Sequence, residues 1–194
     1  MNPFIEQALL IKDELINYRR IIHENPEVGA VLPKTKAFVM DKLKEFGYEP
    51  TEICESGIVA TISGEKPGKT FLLRADMDAL PMKEETSCDF KSTNGCMHSC
   101  GHDMHTAMLL GAAKLLKQNQ DQIEGIVKLV FQPDEEGFTG AKKMIAAGVL
   151  ENPKVDVMCG LHVEETIDCG SIMVRKGTVN AASNPFNITI KGAG

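Results

Sequence analysis

"TFLLRADMD", residues 70–78, is an apolar run that ends in two acids, Asp76 and Asp78. It reads as a buried strand, too short for a helix, with a polar residue at its carboxyl end. The same pattern returns twice. "VKLVFQPDEE" (127–136) ends in Asp134, Glu135 and Glu136, and "VMCGLHVEE" (157–165) ends in His162, Glu164 and Glu165. Between the first two runs lies "DMHTAMLLGAAKLLKQ" (103–118), whose small and apolar residues form a broad helical stripe. Residues 139–147 predict a further helix, opening near Thr139 and closing before Gly148. Strand alternating with helix predicts an α/β fold, a three-layer sheet with helices on both faces. In such sheets ligands bind at the carboxyl ends of the strands.

Upstream, Asn2 and Pro3 read as a helix start, and residues 4–24 carry apolar positions at helical spacing until Pro26 breaks the pattern. A second helix is expected over 34–46, with Gly47 just past its end. "GIVATISGEKPGKTFLLRAD" (57–76) reads as two strands joined by a turn at 66–69. Residues 80–101 form a long polar stretch without periodicity, a length that is usually functional or mobile. Beyond 165 the pattern changes to "GSIMVRKG" (170–177) and "NPFNITIKG" (184–192), which read as amphipathic strands without intervening helices. The final "KGAG" falls at a strand-to-loop transition, and a truncated chain is expected.

Composition sets the class. Of 194 residues, 43% are hydrophobic and 25% charged, as in globular proteins that bury a sizeable core. A formal net charge of −6 without a long Lys/Arg run argues against nucleic acid or an anionic membrane as the main partner. The N-terminus lacks an uninterrupted apolar stretch, so neither a signal peptide nor a membrane helix is expected. Six cysteines in such a chain are expected to be reduced thiols in a cytoplasm. Cys54, Cys159 and Cys169, in apolar or strand-like contexts, are expected to be small core residues.

Three of the five histidines fall within "CMHSCGHDMH" (96–105), together with Cys96, Cys100 and Asp103. This cluster sits just before a helix that follows a strand, at the edge where the three acid-tipped strands end. Four segments thus converge on one crevice with thiolate, imidazole and carboxylate groups, the ligand set of a zinc-like metal. Each part has a plainer reading alone: Asp-x-Asp as a capped turn, "DEEG" as a solvated turn, His162 as a satisfied core histidine. Residues 96–105 alone could form a structural zinc knuckle. Cys100 with His102 or His162 as base could form a Cys–His hydrolase. A metal-binding module without turnover is the non-enzymatic alternative.

"LRADMDALPM" (73–82), "MHSCGHDMHTAMLLGAAKLL" (97–116), "VFQPDEEGFTGAKKMI" (130–145) and "GLHV" (160–163) resemble the co-catalytic metallopeptidase and aminoacylase family. The branch of hippurate hydrolases, N-acyl-amino-acid amidohydrolases and auxin-conjugate hydrolases fits best. The likeness runs from "RRIIHENPEVG" (19–29) to the end of the chain. It implies a zinc-exopeptidase-like catalytic domain over residues 1–184. It also implies an inserted α+β lid beginning at 185–194, through which the full-length protein forms a homodimer. It implies two divalent metal ions, zinc or manganese, cobalt or nickel, with Cys100 bridging them and His102, Glu136 and His162 as further ligands. Glu135 matches the general base that deprotonates a metal-activated water, and Asp78 matches the residue that orients a ligand. The family's final histidine ligand is expected beyond this chain, so the fragment alone should be inactive. Asp76 stands where the wider family has a histidine ligand, and Cys96, His98 and His105 have no matching ligand role. The substrate implied is an N-acyl amino acid.

Overall fold

The computed structural model describes residues 3–179, 181–182 and 186–193. Two helices open the chain, α1 (Pro3–Leu10) and α2 (Lys12–Glu24), where the sequence predicts one. The break at Ile11 lets α1 reach the end of a later helix, where Gln7 and Asn119 exchange side-chain hydrogen bonds. The expected cap Asn2 lies outside the described residues. Helix α3 (Pro33–Glu45) follows, and Gly47 closes it at φ +86°, the left-handed geometry that spares glycine a steric penalty.

Five strands then build one sheet: β1 (Thr51–Ile53), β2 (Gly57–Ser63), β3 (Lys66–Asp76), β4 (Glu124–Gln132) and β5 (Val157–Gly160), in the order β1-β2-β4-β3-β5. Helix α4 (His102–Gln118) joins β3 to β4, and α5 (Gly140–Ala146) joins β4 to β5. Residues 57–76 do form two strands, but β4 separates them. It pairs antiparallel with β2 and parallel with β3. The expected turn residues 66–69 belong instead to the start of β3, where the register slips before Thr70.

Alternation along the strands explains the layers. Leu129, Phe131 and Ala75 pack with Tyr18, Val39, Leu43 and Leu110 from α2, α3 and α4. Val130 and Leu72 point the other way and pack with Met144 of α5 and Val149. A strand buried on both faces needs apolar residues at consecutive positions, as β4 has. Lys128 is the exception. Its stem crosses the buried layer and its ammonium donates to the carbonyls of Val149, Glu151 and Pro153 at 2.9–3.0 Å.

The chain divides by its contacts into two units, Met1–Val163 and Glu164–Gly194. Among the described residues of the second unit there is no helix or strand. The amphipathic strands expected at 170–177 and 184–192 are therefore not formed there. Ile172, Val174 and Ile190 are about 90% exposed, and a strand without a ladder partner has nothing to pair its backbone groups. The expected domain boundary at 184/185 falls on residues outside the described set. Cys159 and Cys169 are exposed rather than core, because β5 is an edge strand with one face uncovered and Cys169 lies in the second unit. Cys54 is half-buried. Among the described residues no helix is long and apolar enough to cross a membrane.

Candidate metal centre

Strands β3, β4 and β5 are mutually parallel and end at the same edge, with Asp76 opposite Gln132 and Arg74 opposite Gly160. Their carboxyl ends therefore deliver Asp76 and Asp78, Glu135 and Glu136, and His162 to one place. Residues 80–101 bring the chain back there to start α4, carrying Cys100 and His102. This long stretch is pinned rather than loose. Leu80 and Met97 exchange backbone hydrogen bonds at 3.0 Å, and buried Glu84 accepts from the Ser92 N–H at 2.6 Å.

Two clusters of metal-ligating atoms overlap at this edge. Cys100, His102 and His162 offer atoms within 4.8 Å of one another, and so do His102, Glu135 and Glu136. His102 belongs to both. Its Nδ1 hydrogen bonds the backbone oxygen of Asp78 at 2.8 Å, which fixes the proton there and leaves the Nε2 lone pair facing the cluster. That Nε2 is buried without a hydrogen-bond partner. It stands 3.8 Å from Glu135 Oε2 and 4.0 Å from Glu136 Oε1, too far to bond and spaced for a shared cation. Glu136 Oε1 is likewise buried and unpartnered. His162 Nδ1 contacts the Val163 carbonyl at 2.5 Å, so its Nε2, 3.3 Å from Cys100 Sγ, is the free nitrogen.

Asp78 reaches two of the expected ligands, His102 and Glu136. Its backbone carbonyl orients His102, while its carboxylate clamps the glutamate turn. Oδ1 accepts the Glu135 N–H and Oδ2 the Glu136 N–H, each at 3.0 Å. Asp134 precedes them at φ +55°, and beyond this reversal Glu135 and Glu136 each offer a carboxylate oxygen within 4.8 Å of the other and of His102. The turn expected from Pro133 and Gly137 thus pivots on Asp134.

Electrostatics point to a missing positive charge. Burial pushes the Cys100 thiol up to about 12, and Glu136, Glu135 and Asp76 add to it. Burial also raises Glu135 above the usual carboxylate range, against the lowering pull of His102. Burial lowers His102, but Asp78 and Asp76 more than reverse this and raise it. A thiol held protonated by three acids is a poor unaided nucleophile. A divalent cation at this spot reverses that balance. The donor set and the orphaned His102 and Glu136 atoms fit such an ion.

Asp76 is in the crevice but already engaged, with Arg74 Nη1 at 2.6 Å from Oδ2 and His105 Nδ1 at 2.6 Å from Oδ1. A cationic guanidinium on one oxygen opposes a metal ion there. Among the described residues no metal-ligating group includes Cys96 or His98, so the zinc-knuckle arrangement is not formed. Asp76, His102 and His105 form a third group of ligating atoms, and a fourth, His23, Glu84 and Cys88, shares no residue with the others. His23 was missed by sequence reasoning because its partners are 61 and 80 residues away.

A family profile described as peptidase family M20/M25/M40 matches residues 72–190. The chain is 46% identical over 189 residues to thermostable carboxypeptidase 2 of Saccharolobus solfataricus, covering 95% of this chain and 48% of that protein. It is 42% identical over 187 residues to an N-acyl-L-amino acid amidohydrolase of Geobacillus stearothermophilus, covering 95% of this chain and 50% of that one. A Bacillus subtilis crystal structure described as a dinuclear metal-binding peptidase from the M20 family superposes with a TM-score of 0.75 at 39% identity, over 78% of this chain and 43% of that one. The chain spans about half the length of the curated relatives it matches. With Cys100, His102, the paired glutamates and His162 gathered at one sheet edge, and with the profile covering all of them, the chain belongs to peptidase family M20/M25/M40.

Proposed function

We propose that this chain carries most of the dinuclear metal centre of an amidohydrolase that cleaves the amide bond of N-acyl amino acids. The observation that carries the reading is the buried, partnerless Nε2 of His102 facing Glu135 and Glu136 across 3.8–4.0 Å. Cys100, His102, Glu136 and His162 would hold the ions. When bound, two divalent ions supply Lewis acidity that polarises the acyl carbonyl and makes water a nucleophile near neutral pH. Thiolate and imidazole donors favour zinc, with manganese, cobalt or nickel as alternatives to it, over magnesium. Glu135 takes the proton from the attacking water and returns it to the leaving amine, a role helped by its raised affinity for protons. Asp78 fixes the turn that carries Glu135 and Glu136 by accepting both of their backbone N–H groups.

Residues 1–184 then form the first part of the catalytic domain, and 185–194 open a lid through which the full-length protein dimerises. Support for the longer protein comes from relatives about twice this length. A cytoplasmic site of action goes with this reading, and neither nucleic acid nor membrane is a partner in it. The isolated 194 residues are expected to bind metal incompletely and to turn over little.

Elemental analysis of the chain and of Cys100→Ala, after dialysis against metal-free buffer, tests the reading. The parent is expected to retain a transition metal that the variant loses. A parent that stays empty in excess zinc, both as this chain and in its full-length form, overturns it. The 3.3 Å Cys100–His162 contact favours a second reading, a Cys–His hydrolase. In that case activity of the full-length protein survives chelators and is abolished by thiol alkylation.

A further inference from the structure

His105 lies on α4 one turn beyond His102, is 2% exposed, and has no place among the ligands. Both of its nitrogens are nonetheless committed. The backbone N–H of Val163 donates to Nε2 at 2.9 Å, and Nδ1 meets Asp76 Oδ1 at 2.6 Å. A backbone amide can only donate, so Nε2 holds the lone pair and the proton sits on Nδ1, directed at Asp76. Asp76 is fixed in turn by Arg74 Nη1 at 2.6 Å on its other oxygen, and Arg74 Nε donates to Gln132 Oε1 at 2.9 Å. A line of polar contacts thus runs from β4 through β3 and α4 to the segment just past β5.

Apart from the 3.3 Å contact of His162 with Cys100 and its ring contact with His102, that segment is held through Val163. Strand β5 ends at Gly160, and His162 is exposed, so the ladder that fixes the strand no longer fixes the histidine. Val163, the next residue, is held by His105, whose ring also packs edge-on against His162 with centroids 4.7 Å apart.

We propose that Asp76 and His105 are positioning residues for the metal centre. Neutral His105, locked as the Nδ1–H tautomer by Asp76, grips the Val163 amide and so aims His162 at the metals. The inference rests on the metal reading above. Asp76 acts here as an anchor, not a ligand. Its proximity to His102 and His105 makes a geometric metal cluster, but both of its oxygens are already taken.

Two amide replacements separate the halves of the grip. The nitrogen of an asparagine reaches roughly where Nδ1 lies and keeps the Asp76 bond, leaving the Val163 N–H without an acceptor. The oxygen of a glutamine reaches roughly where Nε2 lies and keeps the Val163 bond. Zinc affinity of the full chain, measured by competition with a chromophoric chelator, is expected to fall about 10–100-fold in His105→Asn, as on loss of an outer hydrogen-bond partner, and to stay within about threefold in His105→Gln. With cobalt, the thiolate charge-transfer band of Cys100 should persist in both. Unchanged affinity in a folded His105→Asn, or equal losses in the two variants, overturns the inference. Cys100→Ala is run alongside. If it binds zinc like the parent, the metal reading itself is wrong. If it loses zinc while His105→Asn does not, only the positioning role is. Nitrogen-15 NMR of the unaltered chain gives a check that needs no variant, since an Nε2–H tautomer or an imidazolium at His105 overturns the proposal.

Discussion

Between Cys100 and His102, the two proposed ligands of the "CGH" motif, sits a residue with no donor atom. Gly101 has φ +87°, and a Cβ added to it lies 2.3 Å from Val163 Cγ2. Gly101 therefore does two things for the centre. It turns the chain so that Cys100 and His102 face the same crevice, and it lets α4 approach the segment carrying His162. Gly101→Ala is expected to cost about 1–2 kcal/mol for the left-handed backbone alone. It must also displace Val163, and zinc affinity should fall about tenfold or more as His162 moves with it. A folded Gly101→Ala with parental affinity by chelator competition shows that the close approach is not needed. Cys100 and His102 could be picked out in the sequence because their chemistry is written in the side chain. Gly101 and Asp134 could not, because each acts through where the backbone goes, and that depends on residues far along the chain.

Among the elements, α2 and residues 80–101 meet through a buried group that the sequence pattern leaves unmarked. His23 Nδ1 bonds Asp103 Oδ2 at 2.7 Å, and its Nε2 bonds Glu84 Oε1 at 3.0 Å. Arg19 also binds Asp103 at 2.7 Å, and the ring of buried His98 lies 6.4 Å away. The Asp103 hydrogen bond, with Glu84 behind it, raises His23 above its ordinary value despite burial and Arg19. Burial works against Glu84, but Thr86, His23 and the Ser92 N–H hold it at about 2. A histidine whose folded value is raised contributes stability that is complete below its unfolded value, about 6.5, and is lost as pH rises through the folded one. The melting temperature of the parent should therefore exceed that of His23→Asn most at about pH 6, the gap narrowing as pH rises through the raised folded value. A gap independent of pH shows that folding leaves the proton affinity of His23 unchanged, and one that widens as pH rises shows that His23 is neutral in the fold. Periodicity located α3, α4, α5, β2 and β4 because each buries a stripe or a face. It could not give the sheet order, since nothing local to residues 57–76 says that β4 will enter between β2 and β3.

At the scale of the whole molecule, the recurring acid-tipped strand predicted both the layered sheet and the edge that carries the site, because parallel strands of one sheet end together. The same reasoning failed beyond residue 165, where amphipathic alternation is present but the described residues find no partner strand. Alternation says which face a strand would bury, not what it would bury it against. The edge itself gathers Asp76, Glu135, Glu136 and the Cys100 thiol from β3, β4 and the start of α4, with His162 from beyond β5. Folding therefore concentrates negative charge that the unfolded chain spreads out, in a molecule already at −6. A divalent cation bound there relieves this repulsion and ties elements that are up to 62 residues apart in sequence, the spacing of Cys100 and His162. The unfolded chain holds no such arrangement, so binding energy becomes folding energy. Zinc at about 100 times its dissociation constant should stabilise the chain by about 2.7 kcal/mol, read as a rise in melting temperature that chelator reverses. Cys100→Ala should show little of that rise, because the proposed centre then lacks its thiol donor. If zinc raises the melting temperature of the variant as much as that of the parent, the stabilising ion binds elsewhere, and the His23, Glu84 and Cys88 cluster is the next place to look.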